Sequence, residues 1–142
     1  MTGLYIVAAA LALTLVVGLR RRATDGRPRE IAADAGRTSL DQRRLGHELG
    51  TRATFVQFSS TACAPCRTTR TLLASVVAEE PDIAHVEIDA ETRFDLVEEF
   101  GITRTPTVLV LDSAGTVRQK IVGAPRKPQV MDALSASTLV AA

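Results

Sequence analysis

Cys63 and Cys66 are the only cysteines in the chain, and they stand as Cys-x-x-Cys. Two thiols at that spacing can cycle between dithiol and disulfide. One sulfur attacks a substrate disulfide, and the second, within the same helical turn, resolves the mixed disulfide that forms. After the pair, Leu72, Leu73, Val76 and Val77 recur at helical spacing, which predicts Cys63 at the start of a helix. Backbone N–H groups at a helix N-terminus lack partners and carry partial positive charge, so they favour a thiolate, the nucleophilic form. Arg67 adds a positive charge nearby, and Pro65 fits a first turn that has no use for its missing N–H.

Other chemistries for a cysteine pair fit less well. A closed zinc site needs four ligands, and the only imidazoles, His47 and His85, have no second cysteine pair to join them. A peroxide-reducing cysteine preceded by Pro-x-x-x-Thr/Ser-x-x would need proline where Val56 stands. An inert structural disulfide over so small a ring stabilises little by loop closure. No metal and no cofactor is expected, since the chain also has no glycine-rich phosphate loop.

The elements that must position the pair follow from the pattern around it. Thr54–Phe58, rich in aromatic and β-branched residues, reads as a buried strand leading through a polar elbow, Ser59–Ala62, into the cysteine helix. Ile83–Asp89 reads as a second strand and Glu91–Phe100 as a helix stopped by Gly101. Thr107–Leu111 and Thr116–Val122 form an antiparallel hairpin about a glycine-containing turn, and a last helix runs from Lys127 to Leu134 and onward. The order βαβαββα, with right-handed crossovers, predicts an α/β domain with a mixed central sheet and helices on both faces. Upstream, Leu40, Leu45 and Leu49 suggest a short helix capped by Ser39, stopped by Gly50 and carrying His47 as a surface or packing residue. Pro28–Ala33 is expected to add an edge strand.

Formal net charge is +1, unevenly spread: residues 1–44 carry eight arginines against four acids, and residues 45–142 carry nine basic residues against twelve acids. The domain is therefore mildly acidic, which argues against nucleic-acid binding. Gly3–Leu19 is a run without charge, at the short end of what spans a bilayer. A cleaved signal peptide would want cations before the run and small residues after it; here Arg20, Arg21 and Arg22 follow it. The expectation is a single-pass anchor with its basic flank (residues 1–22), a linker (23–39) and a domain (40–142). Cations flanking a span stay cytoplasmic, so Arg20–Arg22 favour a cytoplasmic domain, with an extracytoplasmic domain as the alternative.

Over about residues 45–137 the chain resembles thioredoxin. Cys63-Ala64-Pro65-Cys66 stands where that family has Cys-Gly-Pro-Cys. Gly101-Ile102-Thr103-Arg104-Thr105-Pro106-Thr107 resembles its Gly-Ile-x-x-x-Pro-Thr, whose proline is cis and faces the cysteines, and Gly123 matches a family glycine. The resemblance implies a thioredoxin-like fold and a thiol–disulfide oxidoreductase acting on protein or small-molecule disulfides with a thiol electron donor. It places Cys63 as nucleophile and Cys66 as resolving thiol, with Ala62, Ala64, Pro65, Thr105 and Pro106 contacting substrate.

The departures from the family pattern set further expectations. Ala62 replaces a tryptophan, Gln57 replaces a buried aspartate that accepts the second cysteine's proton, and His85 replaces a lysine. Gln57 cannot take a proton, so His85 is read either as the acceptor or as a buried neutral histidine held by a hydrogen bond. The first strand is weak, and no long insertion follows the cysteine helix, unlike many membrane-tethered thioredoxins that serve cytochrome maturation. Two other functions fit the same residues: a thiol oxidase or isomerase on the outer face, and a redox-weak binding module that docks partners on Thr105-Pro106. The Ala64-Pro65 dipeptide is closer to the reducing type of site.

Overall fold

A computed structural model describes residues 2–30 and 39–139. The sheet has five strands in the order β1-β5-β4-β2-β3. β2 (Ala53–Ser59) lies between β3 (Ile83–Asp89), which runs parallel to it, and β4 (Thr107–Asp112), which runs antiparallel. β5 (Val117–Val122) pairs antiparallel with β4, and the short β1 (Pro28–Glu30) pairs antiparallel with β5 at the edge. Every residue of β2 is buried, as a strand with neighbours on both sides and helices on both faces must be.

Alternate residues along β2 feed two separate cores. Phe55 meets Leu73 and Val76 of α3 (Ala64–Glu79) and Val130 and Leu134 of α5 (Lys127–Leu139) on one face. Val56 and Phe58 meet Leu96 of α4 (Phe94–Glu99) and Leu45 of α2 (Gln42–Leu45) on the other. The period of two in the strand and the helical spacing in α3 are what lock the cysteine helix over this sheet. The expected mixed sheet with helices on both faces is what the structure contains.

Two local expectations are corrected. The short helix before β2 is capped by Asp41, whose Oδ1 accepts from the Arg44 N–H at 2.9 Å, and it ends at Gly46 with φ of 70°. Ser39 instead bridges to Thr116, and Gly50 and His47 lie beyond the helix, with His47 exposed. The helix is short because a left-handed glycine after one turn ends it at no steric cost. The second correction is to α4, which starts at Phe94, after a turn in which the Glu91 N–H donates to Asp89 Oδ1 at 2.9 Å.

The N-terminal helix α1 (Thr2–Thr24) contains a stretch, Gly3–Arg21, long and apolar enough to cross a membrane, and none of that stretch is buried. The chain then joins the sheet almost at once. The Gly26 N–H donates to the Val122 carbonyl at 2.9 Å, and β1 follows. The start of the stretch read as a linker is thus sheet edge, while residues 31–38, which include the end of the expected edge strand at Ala33, lie outside the described residues.

Candidate active site

Three elements converge on the cysteines. β2 ends at Ser59, the elbow Ser60–Ala62 follows, and Cys63 is the N-cap of α3. The Cys63 Sγ accepts the Cys66 backbone N–H at 3.1 Å, so the sulfur sits where the unpaired amides of the first turn point. Pro65 lies in that turn. Cys63 and Cys66 form a disulfide, with Cα atoms 5.2 Å apart. Cys66 retains 1% of its surface and Cys63 retains 9%, so the first cysteine is the more open of the two. Ala62, Ala64 and Pro65 are exposed around it, with no indole beside the pair.

The loop before β4 supplies the third side. The Thr105–Pro106 bond is cis, as the resemblance implied. Thr105 Oγ1 lies 3.0 Å from Ser60 Oγ, which joins this loop to the elbow carrying the cysteines. Thr105 is half-buried and Pro106 buried. The Pro106 carbonyl accepts from the Gly123 N–H at 2.8 Å. Gly123 has φ of 92°, and a side chain there would press on Asp25 and Arg104.

Behind the cysteines, Gln57 is fully buried on the α3 side of β2. Its Nε2 donates to the Cys66 carbonyl at 3.0 Å and to Ser59 Oγ at 2.8 Å, with Glu87 Oε1 at 3.4 Å. The amide therefore holds the second cysteine's backbone in place of an acid. Glu87 is the residue directly opposite Gln57 in the sheet register. It was missed in the sequence, where only its alternation with His85 on β3 hints at a shared face.

Arg70 of α3 donates to Glu87 Oε1 at 2.7 Å. Burial works to raise the Glu87 pKa, but the Arg70 guanidinium and the Ser59 hydroxyl outweigh it and hold the carboxyl below its usual value. A cleft of about 310 Å³, lined by Ser59, Ser60, Thr61, Arg70, Glu87 and Asp89, opens beside this carboxylate and has room for water.

His85 pairs with Phe55, one step back from Gln57 on the same face. That step is about 7 Å along the strand, away from the cysteines. His85 Nε2 is buried without a hydrogen-bond partner among the described residues. Burial pushes its pKa below the ordinary value, Glu87 partly offsets this, and Arg70 adds to it. The expectation of a hydrogen bond holding the ring is thus not met at Nε2, and the ring is a neutral imidazole at neutral pH. Among the described residues, no group of three or more His, Cys, Asp or Glu side chains is placed to hold a metal ion.

Comparison with known proteins places this arrangement. Residues 42–136 match the thioredoxin family model. The chain is 42% identical over 67 residues to NADPH-dependent thioredoxin reductase 3 of Arabidopsis thaliana, covering 46% of this chain and 12% of that protein. It is 31% identical over 68 residues to thioredoxin H5 of Oryza sativa, covering 48% of this chain and 50% of that one. It therefore spans half the length or less of these relatives. The crystal structure of thioredoxin NaTrxh from Nicotiana alata superposes with a TM-score of 0.54 at 27% identity, over 62% of this chain and 75% of that chain. Family match, sheet order and the cysteine pair at the head of α3 agree, and the chain belongs to the thioredoxin family.

Proposed function

We propose that the protein is a membrane-tethered thiol–disulfide oxidoreductase that reduces or exchanges disulfides through Cys63 and Cys66. The observation that carries this reading is Cys63 at the cap of α3, with its sulfur on the first-turn amide of Cys66 and its surface the more open of the two. The reduced Cys63 thiolate attacks a substrate disulfide, forming a Cys63–substrate bond and releasing one substrate thiolate. Cys66 then loses its proton and attacks Cys63 Sγ. The Cys63–Cys66 disulfide forms and the second substrate thiolate leaves, so two electrons pass to the substrate. A thiol donor restores the dithiol by the reverse exchange.

Substrate chain is held along the Thr105 backbone by edge pairing, over Pro106 and against Ala62, Ala64 and Pro65. Cys66 is buried, burial disfavours the charged form of a thiol, and its proton therefore needs an acceptor. Gln57 cannot accept one. Glu87 and His85 share its face, and the register favours Glu87, acting through water in the adjoining cleft. Residues 3–19 hold the chain in the membrane, and Arg20, Arg21 and Arg22 favour a cytoplasmic domain.

Trapping tests the order of attack. The Cys66→Ser variant, mixed with a disulfide-bonded protein, accumulates a mixed disulfide through Cys63 that survives non-reducing electrophoresis. If Cys63→Ser accumulates it instead, the assignment of nucleophile and resolving thiol is reversed.

A further inference from the structure

Next to the end of α1 the fold gathers positive charge. Thr24, Asp25, Arg27, Arg29, Arg104 and Lys120 line a cavity of about 330 Å³. Four of these side chains are cationic and one is acidic, and the acid, Asp25, is already engaged by Arg104. Arg29 and Lys120 are direct cross-strand partners in the β1–β5 pair. Like charges opposite one another destabilise a sheet, and a bound anion removes that cost. The Lys120 ammonium is bonded to the carbonyls of Phe100 and Gly101, at 2.7 and 2.8 Å, and so is held in place, with no carboxylate paired to it among the described residues.

The position of the cavity identifies the anion. The charge-free stretch Gly3–Leu19 has 17 residues. At the α-helical rise that is about 25 Å, near the ~30 Å hydrocarbon core of a bilayer. Thr24 lies five residues further, about 7.5 Å beyond Leu19 along the helix axis. The headgroup layer of each leaflet is about 5–8 Å deep, so the rim of the cavity falls where lipid phosphates are densest. No free tether intervenes, because Gly26 is already bonded to Val122.

We propose that this cavity is a binding site for the phosphate of an anionic phospholipid headgroup in the leaflet that α1 enters. The inference rests on the membrane reading of α1 given above. Arg29 meets the headgroup from the exposed edge strand and Arg27 from the residue just before it, while Lys120 and Arg104 form its floor. Arg104 lies two residues before Pro106, so an occupied site also fixes the substrate loop at the membrane surface.

The full chain in detergent micelles, titrated with phosphatidylglycerol, phosphatidylcholine or inorganic phosphate and read by native mass spectrometry, tests this. Phosphatidylglycerol is expected to be retained in preference to phosphatidylcholine. R27Q/R29Q is expected to weaken that retention by on the order of 25-fold, about fivefold for each basic residue at an anionic surface, while R27K/R29K keeps it. Thermal unfolding of each variant shows that it is folded. Equal retention of the two lipids overturns the proposal. So does inorganic phosphate bound as tightly as the lipid, or a loss produced by R20Q/R21Q and not by R27Q/R29Q, which would assign the effect to the helix flank. Alkaline carbonate extraction of membranes carrying the full chain separates the two readings. Release into the supernatant removes the membrane tether and this site with it; a retained chain without lipid preference removes the site alone.

Discussion

At the scale of single residues, the account turns on how the buried sulfur of Cys66 is served. Gln57 fixes the Cys66 carbonyl but cannot take a proton, and Glu87 is the nearest carboxylate by register. Stopped-flow resolution of a preformed Cys63 mixed disulfide is expected to slow by about 10²-fold in Glu87→Gln, the low end of general-base effects, and to change little in His85→Ala. The reverse pattern would return the acceptor role to the histidine. The cysteines, their helix and the Thr105-Pro106 loop were legible in the sequence, because residue type and spacing alone carry them. Glu87 was not. Its relation to Gln57 depends on the parallel register of β2 and β3, separated in the chain by the whole of α3, and no local pattern encodes a register between distant strands.

At the scale of elements, β2 and β3 show how one face of the sheet can be both core and site. Phe55, Gln57 and Ser59 alternate along β2, with His85, Glu87 and Asp89 opposite. The cleft opens at the Ser59 and Asp89 end of this face, and His85 lies towards the other end, two positions before Glu87, with a lowered pKa because burial disfavours its charge. The unfolded chain therefore binds a proton near the ordinary histidine value of 6.5 that the folded chain refuses. Stability is expected to fall as pH drops through and below that value, and His85→Phe is expected to flatten this part of the curve of thermal unfolding against pH. Loss with an unchanged slope in the variant would assign the effect to other groups. The strands of this sheet were readable because hydrophobic runs and turn residues bound them. The short α2 was misread because Ser39 and Asp41 are both good caps, and only the bridge from Ser39 to Thr116 decides between them.

At the scale of the whole molecule, the thioredoxin domain is attached to α1 through the sheet edge rather than on a free tether. Asp25, just after the helix, pairs with Arg104 of the loop before β4, and Gly26 bonds to β5. Sequence composition could not reveal this, since Gly26, Pro28 and the surrounding charges read equally well as linker. On the proposed function, Leu11→Arg in the middle of α1 is expected to lower membrane insertion, a charge at that depth costing about 2.5–3.5 kcal/mol on insertion scales. Reporter fusions at Ala142 are expected to report a cytoplasmic C-terminus, and an external signal would reverse the assignment of sides. Disulfide reduction through Cys63 is tested most directly by insulin reduction with the detergent-solubilised full chain and dithiothreitol as donor. Turnover is expected well above the uncatalysed rate and is abolished in Cys63→Ser; turnover no greater than that of Cys63→Ser would contradict a reductase acting through Cys63.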